Sequence, residues 1–228
     1  MSSDTGHGFP GRREGVVFIV SAPSGAGKTT LVTRLLTAVP DLTLSVSCTT
    51  RLPRQGEIDG RDYHFLSRER FVMMQKRNAF AEWAEVHGSL YGTPRRPLER
   101  SVRGGRDILL DIDVQGARQL RQYYRGAVAI FVLPPSWKEL RNRLTGRGTD
   151  RKDEIRRRLE NARHELRELL LYDYFILNRD IRESLEGMKS IVRAERLKIA
   201  RIKNGAGFPF GRWRDGGTDV DNARAASQ

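Results

Sequence analysis

The polar and apolar positions of this chain fall into blocks that alternate between two kinds of element. The run Val16-Val17-Phe18-Ile19-Val20 is apolar and mostly β-branched, and it predicts a buried strand over residues 16–21. A stretch of small residues follows, and the pattern over 28–38 predicts a helix that ends near Pro40. The same alternation returns further on. Residues 107–112 (Asp-Ile-Leu-Leu-Asp-Ile) predict a strand with carboxylates emerging at its end, 115–123 a helix, and 127–133 a buried strand stopped by Pro134-Pro135. Residues 137–144 and 153–171 predict helices, 174–177 a short strand, and 181–202 a final amphipathic helix. Strands that alternate with helices predict an α/β fold, a parallel sheet flanked by helices on both faces.

Two stretches break the rhythm. Residues 45–97 are turn-rich, polar and aromatic, and residues 138–160 are dominated by arginine and glycine. Insertions at the carboxyl ends of parallel strands are where such sheets bind ligands. The ends, 1–14 and 204–228, carry glycine and charge with little periodic apolar content, and are expected to be disordered tails around one domain at 15–203. Phe208, Phe210 and Trp213 in the second tail either dock or dangle, and no internal repeat is visible.

Composition narrows the class. A chain of 228 residues suffices for one substantial α/β domain with insertions. No run approaches the roughly 18 apolar residues of a membrane span, and Met1 to Arg13 lacks the apolar stretch of a secretory signal. Cys48, the single cysteine, excludes an internal disulfide and fits a reducing compartment, so the expectation is a cytoplasmic protein without a clustered metal site. The net charge of +13 predicts anionic partners. Between Arg141 and Arg167 stand ten Arg/Lys against five Asp/Glu, but few aromatics interleave them, so a stacking platform for nucleic acid is a minority reading.

Candidate chemistry begins in the loop after the first strand, Ser21-Ala22-Pro23-Ser24-Gly25-Ala26-Gly27-Lys28-Thr29-Thr30. Small residues let backbone N–H groups curl around a phosphate, and the following helix N-terminus adds partial positive charge. Lys28 would reach the β- and γ-phosphates and the Thr29 hydroxyl would ligate Mg²⁺. The usual pattern opens with glycine, where this chain has Ala22. In the first insertion, Ser45 through Glu57 brings hydroxyl residues together with Arg51 and Arg54 around Pro53, a candidate anion clamp, because a guanidinium matches phosphate oxygens bidentately. Tyr63 and Tyr91 could add hydroxyl donors. Glu82, within Phe80-Ala81-Glu82-Trp83, suits a purine with adjacent donors, as guanine has in N1–H and N2–H₂ and adenine does not. Residues 108–113 resemble the second nucleotide-binding strand of P-loop proteins, which implies that Asp111 or Asp113 would orient Mg²⁺. Arginines of the second insertion, on a flap with Gly146 and Gly148 at its hinge, would neutralise charge on a transferred phosphoryl group and exclude water. Arg151, Lys152 and Arg157 read as a solvated face, and His64, His87 and His164 as ordinary polar positions.

The combination resembles the guanylate kinases over about residues 15–203. The resemblance is carried by the loop at 21–29, by Ser45-Val46-Ser47 through Glu57, and by Tyr63. Further elements are Tyr91-Gly92-Thr93, Asp111-Ile112-Asp113-Val114-Gln115-Gly116 and Gly146-Arg147-Gly148-Thr149. It implies a P-loop NTPase fold with a GMP-binding region near 45–97 and a lid near 138–160, and phosphoryl transfer from ATP to GMP with Mg²⁺ in purine metabolism. By that similarity Arg51, Arg54, Tyr63 and Tyr91 would bind the GMP phosphate, and Ser47, Glu82 and Thr93 would read guanine. One of Asp111 and Asp113 would serve the metal and the other face the acceptor. Lys28, Arg143, Arg147 and Arg158 would stabilise the moving group. Leu90, where a second tyrosine is common, and Arg179, where an acid is usual, depart from the pattern. Two rivals are a guanylate-kinase-like interaction module without catalysis and a kinase acting on a ribosyl phosphate; the second would not need Glu82, Ser47 or Thr93. Oligomeric state and acceptance of dGMP stay open.

Overall fold

The computed structural model describes residues 13–86, 88–145 and 152–201. The apolar run after Gly15 forms β1 (Val17–Ser21), buried at every position. A glycine-rich turn leads into α1 (Lys28–Ala38), which matches the predicted helix at both ends, and then β2 (Leu42–Leu44). The first insertion is not irregular. It holds β3 (Cys48–Thr49), β4 (His64–Phe65), α2 (Arg68–Lys76), the hairpin β5 (Phe80–Val86) and β6 (Ser89–Pro94), and α3 (Arg95–Arg103). Then follow β7 (Asp107–Asp111), α4 (Val114–Tyr123), β8 (Val128–Leu133), α5 (Trp137–Thr145), α6 (Lys152–Arg167), β9 (Tyr174–Leu177) and α7 (Ile181–Arg196). The helix expected over 153–171 tightens to 3₁₀ geometry at Glu168–Leu171, and the one expected over 181–202 stops at Arg196 before a 3₁₀ turn at Ile199–Arg201.

Five parallel strands form the main sheet in the order β2-β7-β1-β8-β9. Side chains of β1 alternate between its faces. Val16, Phe18 and Val20 join the core under α1 and α7, whereas Val17 and Ile19 join the one under α3 and α4. A second, mixed sheet runs β4-β3-β6-β5 around a small core of Cys48, Phe71, Phe80 and Leu90. Leu90 is thus a core residue, and its departure from the family pattern does not reach the site. Among the described residues no helix is long and apolar enough to cross a membrane.

The expected tails need one correction. Arg13 forms a bidentate ion pair with Asp107 (2.5 and 2.9 Å), and the Glu14 N–H donates to Arg201 O at 3.0 Å, so both residues belong to the folded unit. The other residues expected in tails, including Phe208, Phe210 and Trp213, lie outside the described residues, as do His87 and the hinge at Gly146 and Gly148.

Candidate active site

The site is assembled at the carboxyl ends of β1 and β7. These strands are neighbours with Val20 opposite Asp111, so the loop leaving one and the acid ending the other emerge side by side. Gly25 and Gly27 take φ values of 87° and 90°, a conformation that glycine adopts at no steric cost and that shapes a nest of N–H groups at the start of α1. Gly27 meets a second constraint, because a Cβ there would lie 2.5 Å from Nδ2 of Asn178. That amide donates to Ala26 O at 2.8 Å and holds the loop from behind. From above, Leu144 of α5 closes on Gly25, its Cδ2 3.2 Å from where a Cβ would stand. Ala22, Ser24, Gly25, Gly27, Lys28, Thr29 and Thr30 reach solvent at least in part, whereas Ser21, Pro23 and Ala26 are buried. The Ser21 hydroxyl faces that of Tyr172, whose pKa burial pushes up to about 12. Lys28 Nζ pairs with the Asp111 carboxylate and donates to Ile112 O at 3.4 Å.

A cleft of about 290 Å³ runs from Lys28 and Asp111 into the second sheet. Ser47, Arg51, Arg54 and Tyr63 line it, as do Glu82, Tyr91 and Asp113. The structure therefore brings these expected site residues together in one place. Arg51 holds Glu57 bidentately at 3.0 and 2.8 Å, and Glu57 Oε2 also accepts the Arg54 N–H at 2.7 Å. The hydrogen bonds from Arg51 hold the Glu57 carboxyl below its usual range. Tyr63 and Tyr91 meet edge to face with centroids 6.0 Å apart, and the Arg51 guanidinium stands 5.4 Å from the Tyr63 ring. One part of the cleft is thus rich in cationic and hydroxyl donors.

Another part is built around a hydrogen-bond acceptor. Glu82 is 4% exposed, and Thr93, directly across the β5–β6 hairpin, is fully buried behind it. The Thr93 hydroxyl donates to Glu82 Oε1 at 2.6 Å. Burial pushes the Glu82 pKa up to about 7; the Thr93 hydrogen bond opposes that rise and the Asp113 charge adds to it. Asp113 caps α4, its Oδ1 accepting the Gly116 N–H at 2.8 Å.

Over the loop, α5 and α6 pack through Leu140, Leu144 and Ala162. Arg143 donates through Nε to Glu139 at 3.0 Å, and its Nη1 lies 3.9 Å from the Cβ position of Gly27, beside the nest of N–H groups. Arg158 is half-buried on α6; Arg147 lies outside the described residues. Three residues with a part in the site escaped the sequence reading. Glu57 orients Arg51, and its spacing of three and six residues from Arg54 and Arg51 was the available signal. Asn178 braces the loop from 152 positions away, with no local signal at all. Glu165 stands seven residues after Arg158 on the same side of α6. Burial raises its pKa to about 7; the Lys28 charge and the Ser24 N–H oppose the rise, and Asp113 adds to it. Arg179 is exposed, between Asn178 and Asp180, the cap of α7.

The model of the guanylate kinase family matches residues 14–195. A guanylate kinase of Geobacter metallireducens is 52% identical over 191 residues, covering 84% of this chain and 94% of its own length. That of Aromatoleum aromaticum is 52% identical over 186 residues, 82% of this chain and 91% of its own. The crystal structure of guanylate kinase from Anaplasma phagocytophilum superposes with a TM-score of 0.71 at 37% identity, over 84% of this chain and 92% of that one. Likeness of that extent takes in the main sheet, the second sheet and the helices above the loop together, and the chain belongs to the guanylate kinase family.

Proposed function

We infer that the protein transfers the terminal phosphoryl group of ATP to GMP, giving ADP and GDP, a step of purine nucleotide metabolism that recycles GMP. The observation that carries this reading is the buried Glu82–Thr93 pair in a cleft that also presents Arg51, Arg54, Tyr63 and Tyr91. A carboxylate there accepts from guanine N1–H and N2–H₂, with Ser47 and Thr93 beside it, while the arginines and tyrosines hold the GMP phosphate. The loop at 21–30 holds the ATP phosphates. Lys28, Arg143, Arg147 and Arg158 neutralise the charge that spreads over the group in transfer. Glu57 keeps Arg51 aimed at the acceptor phosphate.

Among the described residues no three acidic, histidine or cysteine side chains form a metal cage. The Thr29 hydroxyl and the Asp111 carboxylate are solvent-facing hard oxygen donors, which suits an ion that keeps its waters and takes its other ligands from phosphate. These two residues would hold Mg²⁺, which when bound supplies charge neutralisation to the donor phosphates. Asp113, committed through Oδ1 to capping α4, faces the acceptor. We place the activity in the cytoplasm, where Cys48 stays a free thiol.

A coupled ADP-release assay with GMP, AMP, CMP and UMP is expected to show turnover with GMP. In Glu82→Ala, KM for GMP is expected to rise by about two orders of magnitude, because a polar site that loses its partner discriminates poorly. An unchanged KM would instead favour a ribosyl phosphate as acceptor. The pH dependence follows from the raised Glu82 pKa of about 7. Only the carboxylate accepts both guanine donors, so the Glu82 contribution is fully present above pH 7 and is lost as pH falls through it. The ratio of the Glu82→Ala KM to the parent KM cancels the titration of the substrate phosphate near pH ~6. That ratio is expected to fall about tenfold per pH unit well below 7 and to level off above it. A ratio independent of pH between 5.5 and 8.5 would show that Glu82 is ionised throughout.

A further inference from the structure

Glu82 is held from the side of α4 as well as by Thr93. Gly116, buried in the first turn of that helix, leaves room for the carboxylate. A Cβ on it would lie 2.5 Å from Glu82 Oε2, 3.2 Å from Glu82 Cδ and 3.4 Å from Asp113 Oδ1. Its φ is not positive, so the position uses the absence of a side chain rather than the backbone freedom of glycine. Helix formation does not call for it either, since glycine is among the poorest helix formers. One turn later, Gln119 brackets the residue next to Glu82: its Nε2 donates to Trp83 O at 2.7 Å and its Oε1 accepts the Trp83 N–H at 3.2 Å. With the Trp83 backbone clamped and Oε1 tied to Thr93, the carboxylate cannot back away from an added methyl group. It must turn about its own side-chain torsions, away from the plane that Thr93 sets.

We propose that Gly116 and Gln119 are positioning residues for guanine specificity, acting through Glu82 without touching the substrate. Gly116 provides the slot for the carboxylate, and Gln119 fixes the depth at which β5 delivers it. The inference rests on the reading of Glu82 as the guanine-recognising group, and its test separates the two.

Kinetics with GMP and with inosine monophosphate, which lacks the 2-amino donor, would be measured at pH 8 for the parent, Glu82→Ala, Gly116→Ala and Gln119→Met, with a thermal melt of each. For Gly116→Ala, KM for GMP is expected to rise about tenfold or more and the preference for GMP over inosine monophosphate to narrow, with kcat and KM for ATP within about threefold and Tm not lowered. Glu82→Asp, shorter by one methylene, vacates the contested space. Gly116→Ala is therefore expected to cost little more in the Glu82→Asp background than Glu82→Asp costs alone. An unchanged GMP KM in Glu82→Ala overturns the reading of Glu82 and this inference with it. A raised KM in Glu82→Ala beside an unchanged one in Gly116→Ala overturns the inference alone. So does a Gly116→Ala protein in which kcat, both KM values and Tm all deteriorate together. If Gly116→Ala does not fold, Gln119→Met decides: a rise confined to the GMP KM supports the proposal, and an unchanged KM overturns it.

Discussion

Lys28→Ala is expected to lower kcat by about two to three orders of magnitude, the scale seen when one preorganised donor to a developing charge is removed. Lys28 opens α1 and reaches across to β7, where its ammonium pairs with Asp111 and donates to Ile112 O. That arrangement keeps a cation beside the nest of N–H groups at Gly25 and Gly27, where the proposed function puts the ATP phosphates, before any nucleotide arrives. Cations on the transferred group act where charge develops, so the loss falls on kcat more than on KM. Folding should scarcely register the change. The Lys28 and Asp111 side chains are 21% and 30% exposed, so an unpaired Asp111 is hydrated rather than stranded, and a solvated pair contributes little to stability. Single-turnover kinetics and a thermal melt check both halves of the expectation. A kcat within threefold of the parent would remove Lys28 from the transfer step. Lys28→Arg keeps the charge but spreads it over a planar fork that reaches further from the backbone, and is expected to recover only part of the rate.

What the sequence made legible divides along the range of the interactions involved. The strands β1, β7 and β8 follow from local periodicity, because each buries its own contiguous apolar run, whereas β2, in which only Leu42 is buried, offers no such run and was not predicted. The second sheet does not follow from periodicity either, since β3 and β4 are two residues long and exist only by pairing: Cys48 with Gly92 on one side and with His64 on the other. No period can be read from two residues. The same hairpin makes Glu82 and Thr93 cross-strand neighbours. Glu82 was conspicuous as an acid among apolar residues, whereas Thr93 needed the family resemblance to be found. Glu57, three residues from Arg54, was within reach of a spacing argument. Asn178 and Glu165 were not, because each meets the loop only through the packing of distant elements around it.

Asp107→Ala is expected to destabilise the protein by about 3–5 kcal/mol, the cost of removing one member of a buried ionic cluster and leaving the others. The Asp107 side chain is fully buried at the start of β7, the end of the sheet opposite the active site. Its Oδ1 accepts from Arg13 at 2.5 Å and from the Val16 N–H at 2.8 Å; its Oδ2 accepts from Arg13 at 2.9 Å and from Arg196 at 2.6 Å. One carboxylate therefore ties the segment before β1 and the last turn of α7 to β7. Without it two guanidinium groups, 16% and 22% exposed, lose their counter-charge, and a buried N–H loses its acceptor. A loss of that size is a large share of the roughly 5–15 kcal/mol that separates a folded domain from its unfolded chain. Urea unfolding is expected to show a lower midpoint at an unchanged slope, because the surface exposed on unfolding is the same. Asp107→Asn, which keeps the shape and one acceptor, should fall between the two. Since Asp107 lies at the far end of the same strand that delivers Asp111, the folded fraction of the variant should keep the parent kcat. Lys28→Ala is its converse, with activity lost and stability kept. A stability loss under 1 kcal/mol, or a kcat that falls with it, would show that the carboxylate cluster and the catalytic end of β7 are not the separate devices that the strand places at its two ends.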